Sequence, residues 1–133
     1  MSVAHEISVT GRPAQQGSKK HVGGGRMVEM AKRLPAWRKA VVAAAKESHG
    51  PEWEPLDGAL VVGLTVYLPR PKGTKYPDYP AGPPDTDKLQ RAIGDALTQA
   101  GTIADDARIV TWHAHKRWAV GCEPGATIRV ETL

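Results

Sequence analysis

The chain has 133 residues, 41% of them hydrophobic, with 18 Lys or Arg against 14 Asp or Glu and a formal net charge of +4. That size suits one domain with a modest core, and that composition excludes a disordered chain. No apolar run approaches the roughly 20 residues of a membrane span, the first residues lack the charged start and apolar block of a signal peptide, and the single Cys122 excludes an internal disulfide or a multi-cysteine zinc site.

With no export signal, a reducing cytoplasm is the expected location. The charge is uneven. Residues 1–48 carry nine Lys or Arg against three acids (+6), and the remainder nine against eleven (−2). A basic half beside an acidic centre fits a protein that grips a polyanion and cuts it with metal ions. Basic residues that merely keep a helix soluble would give the same imbalance.

Taken in chain order, His5 to Thr10 alternates apolar and polar residues, the pattern of a half-buried strand, and Gly11 and Pro13 end it. Residues 14–26 form a polar, glycine-rich loop in which Lys19 and Lys20 can close on a phosphate backbone. A short helical turn is expected at Met27–Arg33. A longer helix then starts with Pro35 in its first turn, where the missing N–H costs nothing, and runs to Gly50-Pro51. Trp37, Val41, Ala44 and Ala45 make its apolar stripe.

Ala59 to Leu68 is β-rich and nearly continuous in apolar residues, so it reads as the central strand. Residues 69–84 are a long loop with six prolines and two glycines, exposing Lys72 and Lys75 near Tyr76 and Tyr79. Either tyrosine is placed to stack on a base, although tyrosines on such loops are common. A second helix follows, with Leu89, Ile93, Ala96, Leu97 and Ala100 facing the core and Gly101 closing it in left-handed geometry. Arg108–Ala119 and Ala126–Thr132 are the last two strands. Cys122, near the turn between them, is expected to be a small apolar filler at a strand edge. The order strand, helix, strand, helix, strand, strand gives an α+β domain over residues 1–133: a small mixed sheet of about four strands with two main helices.

The chemistry concentrates in Asp85 to Asp106. Asp85 and Asp87 stand where the proline-rich loop meets the helix, and residues two apart in an extended stretch project to one side. Mg²⁺ takes oxygen ligands, often one or two carboxylates with water and a phosphate. The plainer reading is that one Asp caps the helix and the other complements its positive end. Asp105-Asp106 closes the stretch. On a strand these two neighbours point to opposite faces, so one of them, Asp106, is the candidate ligand. Asp95 is four residues after Arg91, an ordinary helix ion-pair spacing, and is assigned to structure. His113 and His115 share one face of a strand, lack an evident third ligand, and read as surface or DNA-facing residues.

The motifs Pro84-Asp-Thr-Asp-Lys-Leu-Gln-Arg91, Asp95-Ala-Leu97 and Asp105-Asp-Ala-Arg-Ile-Val110 resemble those of the RusA family of Holliday-junction resolvases. Gly11-Arg12-Pro13, Gly17-Ser-Lys-Lys20 and Lys116 add to the likeness, which extends over residues 7–131. Lys88 stands where that family usually has Asn, and Arg91 where it has a lysine thought to serve catalysis.

The resemblance implies a homodimeric endonuclease that resolves four-way junctions by paired nicks in recombination or repair. It implies Mg²⁺, with Mn²⁺ as a substitute, on Asp85, Asp87 and Asp106, and catalytic support from Arg91 and Lys116. Arg12, Lys19, Lys20, Lys72, Lys75 and Lys88 are the expected DNA-binding residues, and a phage or prophage source is expected. A straight helix from Asp87 to Ala100 is about 20 Å long. Either the chain after Gly101 therefore folds back sharply, or a twofold dimer brings a second copy's Asp106 to the site. The alternatives are a non-catalytic DNA-binding module whose acids cap and pair, and a metal-dependent enzyme acting on small phosphates or nucleotide sugars.

Overall fold

The computed structural model describes residues 3–16 and 25–133, with the backbone alone for 25–31. Its elements are β1 (Ala4–Thr10), α1 (Gly25–His49), β2 (Leu60–Leu68), α2 (Thr86–Gln99), a 3₁₀ turn (Asp106–Arg108), β3 (Ile109–Trp118) and β4 (Gly125–Thr132). The strands form one mixed sheet in the order β1-β4-β2-β3. β4 is antiparallel to both its neighbours, and β2 and β3 are parallel, joined through α2. A parallel pair needs such a crossover, and here the crossover carries the acidic stretch.

Alternation sets the layering. Along β2, Leu60, Val62, Leu64, Val66 and Leu68 are buried, as are Ile128 and Val130 of β4 and Ile7 and Val9 of β1. Against them pack Trp37, Val41 and Ala45 from α1 and Leu89, Ile93, Ala96 and Leu97 from α2. The other face carries Glu6, Thr127, Arg129, His113, His115 and Arg117, all exposed. This is a two-layer α+β domain with both helices on one side of the sheet, and β2 in its interior as expected.

Three expectations change. The helical turn at Met27–Arg33 and the helix beginning at Pro35 are one continuous helix with Pro35 inside it. An interior proline loses a hydrogen bond and disfavours the helix by about 3 kcal/mol. Pro35 lies on the exposed side, while the burial of Trp37, Val41 and Ala45 on the other side holds the helix together. Cys122 is exposed in the β3–β4 turn rather than filling a strand edge. Asp106 lies in the 3₁₀ turn and not on a strand.

β3 also contains one irregularity. Leu60 pairs with Ile109 but Val61 pairs with Thr111, so Val110 is an extra residue that no β2 residue opposes. It is a β-bulge, and its side chain is 60% exposed.

Candidate metal and DNA site

The crossover helix ends in a way that folds the chain back on itself. Gly101 has φ +74°, Gly101 N–H donates to the Thr98 carbonyl at 3.1 Å, and Thr102 N–H donates to the Leu97 carbonyl at 3.0 Å. These paired bonds are a Schellman closure, which needs a left-handed residue at the glycine position. Leu56 then clamps the returning chain. Its N–H donates to the Thr102 carbonyl (3.0 Å), and its carbonyl accepts from Ala104 N–H (2.9 Å). The Thr102 hydroxyl, fully buried, lies 3.0 Å from His49 Nε2, and Trp53 Nε1 donates to the Thr102 carbonyl at 3.1 Å.

The fold-back delivers Asp106 to the middle of α2. A Cβ placed on Gly94 would lie 3.3 Å from Asp106 Cβ and 3.7 Å from Trp112 Cζ2. Only glycine allows this approach without displacing Asp106. Asp105, on the N-terminal side of the 3₁₀ turn, stays beside its neighbour instead of pointing to an opposite face. Burial raises the Asp106 carboxyl above its ordinary pKa, and Asp105 and Asp95 raise it further. Asp95 pairs with Arg38 of α1 at 3.7 Å, not with Arg91. The i,i+4 spacing was therefore a poor guide to its partner.

The N-terminal end of α2 is built differently. Lys116, on the helix-facing side of β3, donates to the carbonyls of Gly82 (2.8 Å) and Pro84 (2.9 Å). Burial lowers its pKa, and nearby Asp85 partly opposes the shift. Gln15, 2% exposed, accepts a 2.8 Å hydrogen bond from the Asp85 backbone N–H through Oε1. Asp85 stands at the N-cap but makes no side-chain capping bond. Instead its carboxylate lies 3.6 Å from Lys88 Nζ. Asp87 belongs to the first helical turn, so it does not share a side with Asp85 through strand alternation. The side chains of Asp87 and Arg91 are exposed and make no hydrogen bond or ion pair among the described residues.

Asp85, Asp87 and Asp106 thus lie along one helix, with Asp106 against Gly94, about 10 Å beyond Asp87 by helical rise. Among the described residues, no three of His, Cys, Asp or Glu stand close enough to hold a metal ion. The donor chemistry still suits Mg²⁺, which takes one or two carboxylates and fills its remaining positions with water and phosphate. The crowding that raises the Asp106 pKa is also what a bound cation relieves.

Of the expected DNA-binding residues, Arg12, Lys72 and Lys75 line one groove, joined by Arg33, which the sequence reading did not single out. Lys88 is engaged with Asp85. Lys19 and Lys20 lie outside the described residues. His113 and His115 are exposed on the open face of the sheet, away from α2. Gly94, Arg38 and Trp118 were also missed. Only Gly94 had a visible signal, a glycine inside an otherwise amphipathic helix, which often marks a close approach.

No helix among the described residues is long and apolar enough to cross a membrane. No curated protein matches the chain. Residues 9–131 match the family described as Endodeoxyribonuclease RusA, with the acidic crossover helix inside the matched span, and the chain therefore belongs to the RusA family of endodeoxyribonucleases that act on branched DNA junctions.

Proposed function

We propose that this chain is a Mg²⁺-dependent, structure-selective endonuclease that works as a homodimer, resolving four-way junctions by paired nicks during DNA recombination or repair in the cytoplasm. The observation that carries the metal reading is Asp106, seated on Gly94 of the helix that begins at Asp85 and Asp87, its pKa raised by burial and two neighbouring acids. Asp106 would hold the ion with Asp85 and Asp87, contributed within one chain or by a second copy. When bound, the ion lowers the pKa of water and neutralises charge developing on the phosphate.

The chain's own groups supply the rest. Arg91, exposed and without a partner among the described residues, is free to present two N–H groups to a phosphate. Lys116 places two of its three donors on the carbonyls of Gly82 and Pro84, so it acts on Asp85 by fixing the chain that enters it. Arg12, Lys72 and Lys75 meet backbone phosphates. Two strands of like polarity need two related sites, which a twofold dimer provides.

Of the caps-and-pairs alternative, the capping half loses support because Asp85 caps nothing with its side chain, while its pairing with Lys88 and that of Asp95 with Arg38 fit either reading. A labelled four-way junction, incubated with and without Mg²⁺, tests the proposal. Paired nicks with the ion and none in EDTA are expected, and sedimentation should give twice the 14.3 kDa chain mass. A junction left intact in Mg²⁺ would reject the nuclease reading.

A further inference from the structure

Beside the acidic helix lies a groove of about 770 Å³, between the proline-rich loop, the ends of β2 and β3, Arg12 and Arg33. That volume falls within the range of pockets that enclose a small ligand. Four of its lining residues are cationic (Arg12, Arg33, Lys72 and Lys75), and none is acidic. A polyanion is therefore the occupant its charge favours.

The aromatic residues narrow the choice. Tyr76 lines the groove with 45% of its surface exposed. Its ring lies against Gly82, where an added Cβ would come within 3.2 Å of Tyr76 Cε2. Trp118 Nε1 donates to the Tyr76 carbonyl at 2.8 Å and fixes the loop from the sheet side. Tyr76 is therefore an exposed ring on a braced support, in a concave basic surface. Bases within a continuous duplex keep both faces inside the stack, whereas an unpaired nucleotide offers a free face to such a ring. The lining ends at Pro84, and the next residue is Asp85.

We infer that this groove binds an unpaired DNA segment, with phosphates on Arg12, Lys72 and Lys75 and a base stacked on Tyr76, and leads the adjoining phosphodiester toward Asp85. This rests on the nuclease reading for its purpose but not for its measurement. A strand opened at a branch point is the substrate feature it would recognise.

The test uses the full chain in EDTA, with fluorescence anisotropy of a labelled single-stranded deoxythymidine oligonucleotide and of a blunt duplex of equal length. Tyr76→Leu should weaken single-strand binding about fivefold or more and change duplex binding less than about twofold, while Tyr76→Phe retains wild-type binding. Lys72→Gln with Lys75→Gln should weaken both and lower the single-strand salt slope by up to about 1.4. Tyr76→Leu binding the single strand like wild type, or losing duplex binding equally, overturns the inference. Junction cleavage in Mg²⁺ is scored separately. Cleavage by the wild type together with unchanged Tyr76→Leu binding removes the groove and leaves the nuclease. Selective loss of single-strand binding without wild-type cleavage supports the groove and removes the nuclease.

Discussion

At the N-terminal end of α2, Asp85 has Lys88 3.6 Å away and Lys116 close by. Around Gly94, two turns further on, Asp106 has two acids for company, and Asp95 finds its counter-charge in Arg38 of α1. The same residue type is compensated at one end and crowded at the other. A compensated carboxylate has its charge answered before any ion binds. A crowded one keeps a raised pKa until a cation arrives, which makes Asp106 the more demanding position and the better reporter of metal.

The sharpest way to break this contrast is to neutralise its acids singly. Asp106→Asn should cut junction cleavage by about a hundredfold or more, with binding kept or tightened, as for a lost metal ligand. Asp85→Asn and Asp87→Asn should do the same, whereas Asp95→Asn should retain substantial cleavage. In the metal-free protein the raised Asp106 pKa lets protons compete with Mg²⁺ for the carboxylate, so an acid limb of the rate profile is expected where protons displace the ion. Removing the Asp95 charge should move that limb to lower pH. Initial nicking rates against pH measure both effects, and ordinary cutting by Asp85→Asn, Asp87→Asn and Asp106→Asn would return the acids to structural roles.

At the compensated end, Lys116→Met leaves the Gly82 and Pro84 carbonyls without their donor. A loss of about 1–3 kcal/mol in urea unfolding is expected, together with slower cleavage. Unchanged stability would show that the loop before Asp85 holds itself.

Gly94→Ala probes the crowded end without touching a charge. The methyl group meets Asp106 Cβ at 3.3 Å, against a helix-propensity gain of about 1 kcal/mol. Net stability should change by less than about 1 kcal/mol, and cleavage should fall about tenfold, because small displacements of catalytic groups cost rate steeply. Wild-type cleavage would mean that Asp106 can yield without consequence.

The smallest effect belongs to the clamp behind the fold-back. His5, whose ring lies 4.7 Å from Trp53 and 2.8 Å from the Ser48 hydroxyl through Nε2, has its pKa lowered by burial and by His49. The unfolded chain, titrating near the ordinary 6.5, therefore takes up the proton first, and stability declines as pH drops through that region. Urea midpoints from about pH 7 to about pH 5 should show this slope, and His5→Gln should flatten it.

Much of this was legible from local pattern. Period-two alternation marked β1 and β3, a nearly continuous apolar run marked β2, the apolar spacing of α2 gave its buried face, and Gly101 announced the turn. Tertiary pairings were not legible. Arg91 and Asp95 have a valid helical spacing, yet Arg38 lies on another element and reaches Asp95. Asp105-Asp106 reads as the start of a strand until Leu56 and Trp53, distant in sequence, clamp the chain before it. Pro35 reads as a first-turn residue because sequence cannot weigh its local cost against burial of Trp37 and Val41. The groove draws on the segment after β1, on α1, on the end of β2, on the proline-rich loop and on β3, and no short window along the chain contains them all.

The bulge at Val110 separates two kinds of change that evolution can make. Beyond it, eight successive rungs, from Val61–Thr111 to Leu68–Trp118, lock β3 to β2, while only Ile109 and the three-residue turn lie between it and Asp105. Exposed side chains on β3 can therefore drift freely without disturbing the acids. A one-residue deletion there has no such freedom, because the pleat would hand the shift back to Asp106 as a change of direction. Descendants of this chain can differ widely in what β3 displays, but not in how many residues connect it to the acidic turn.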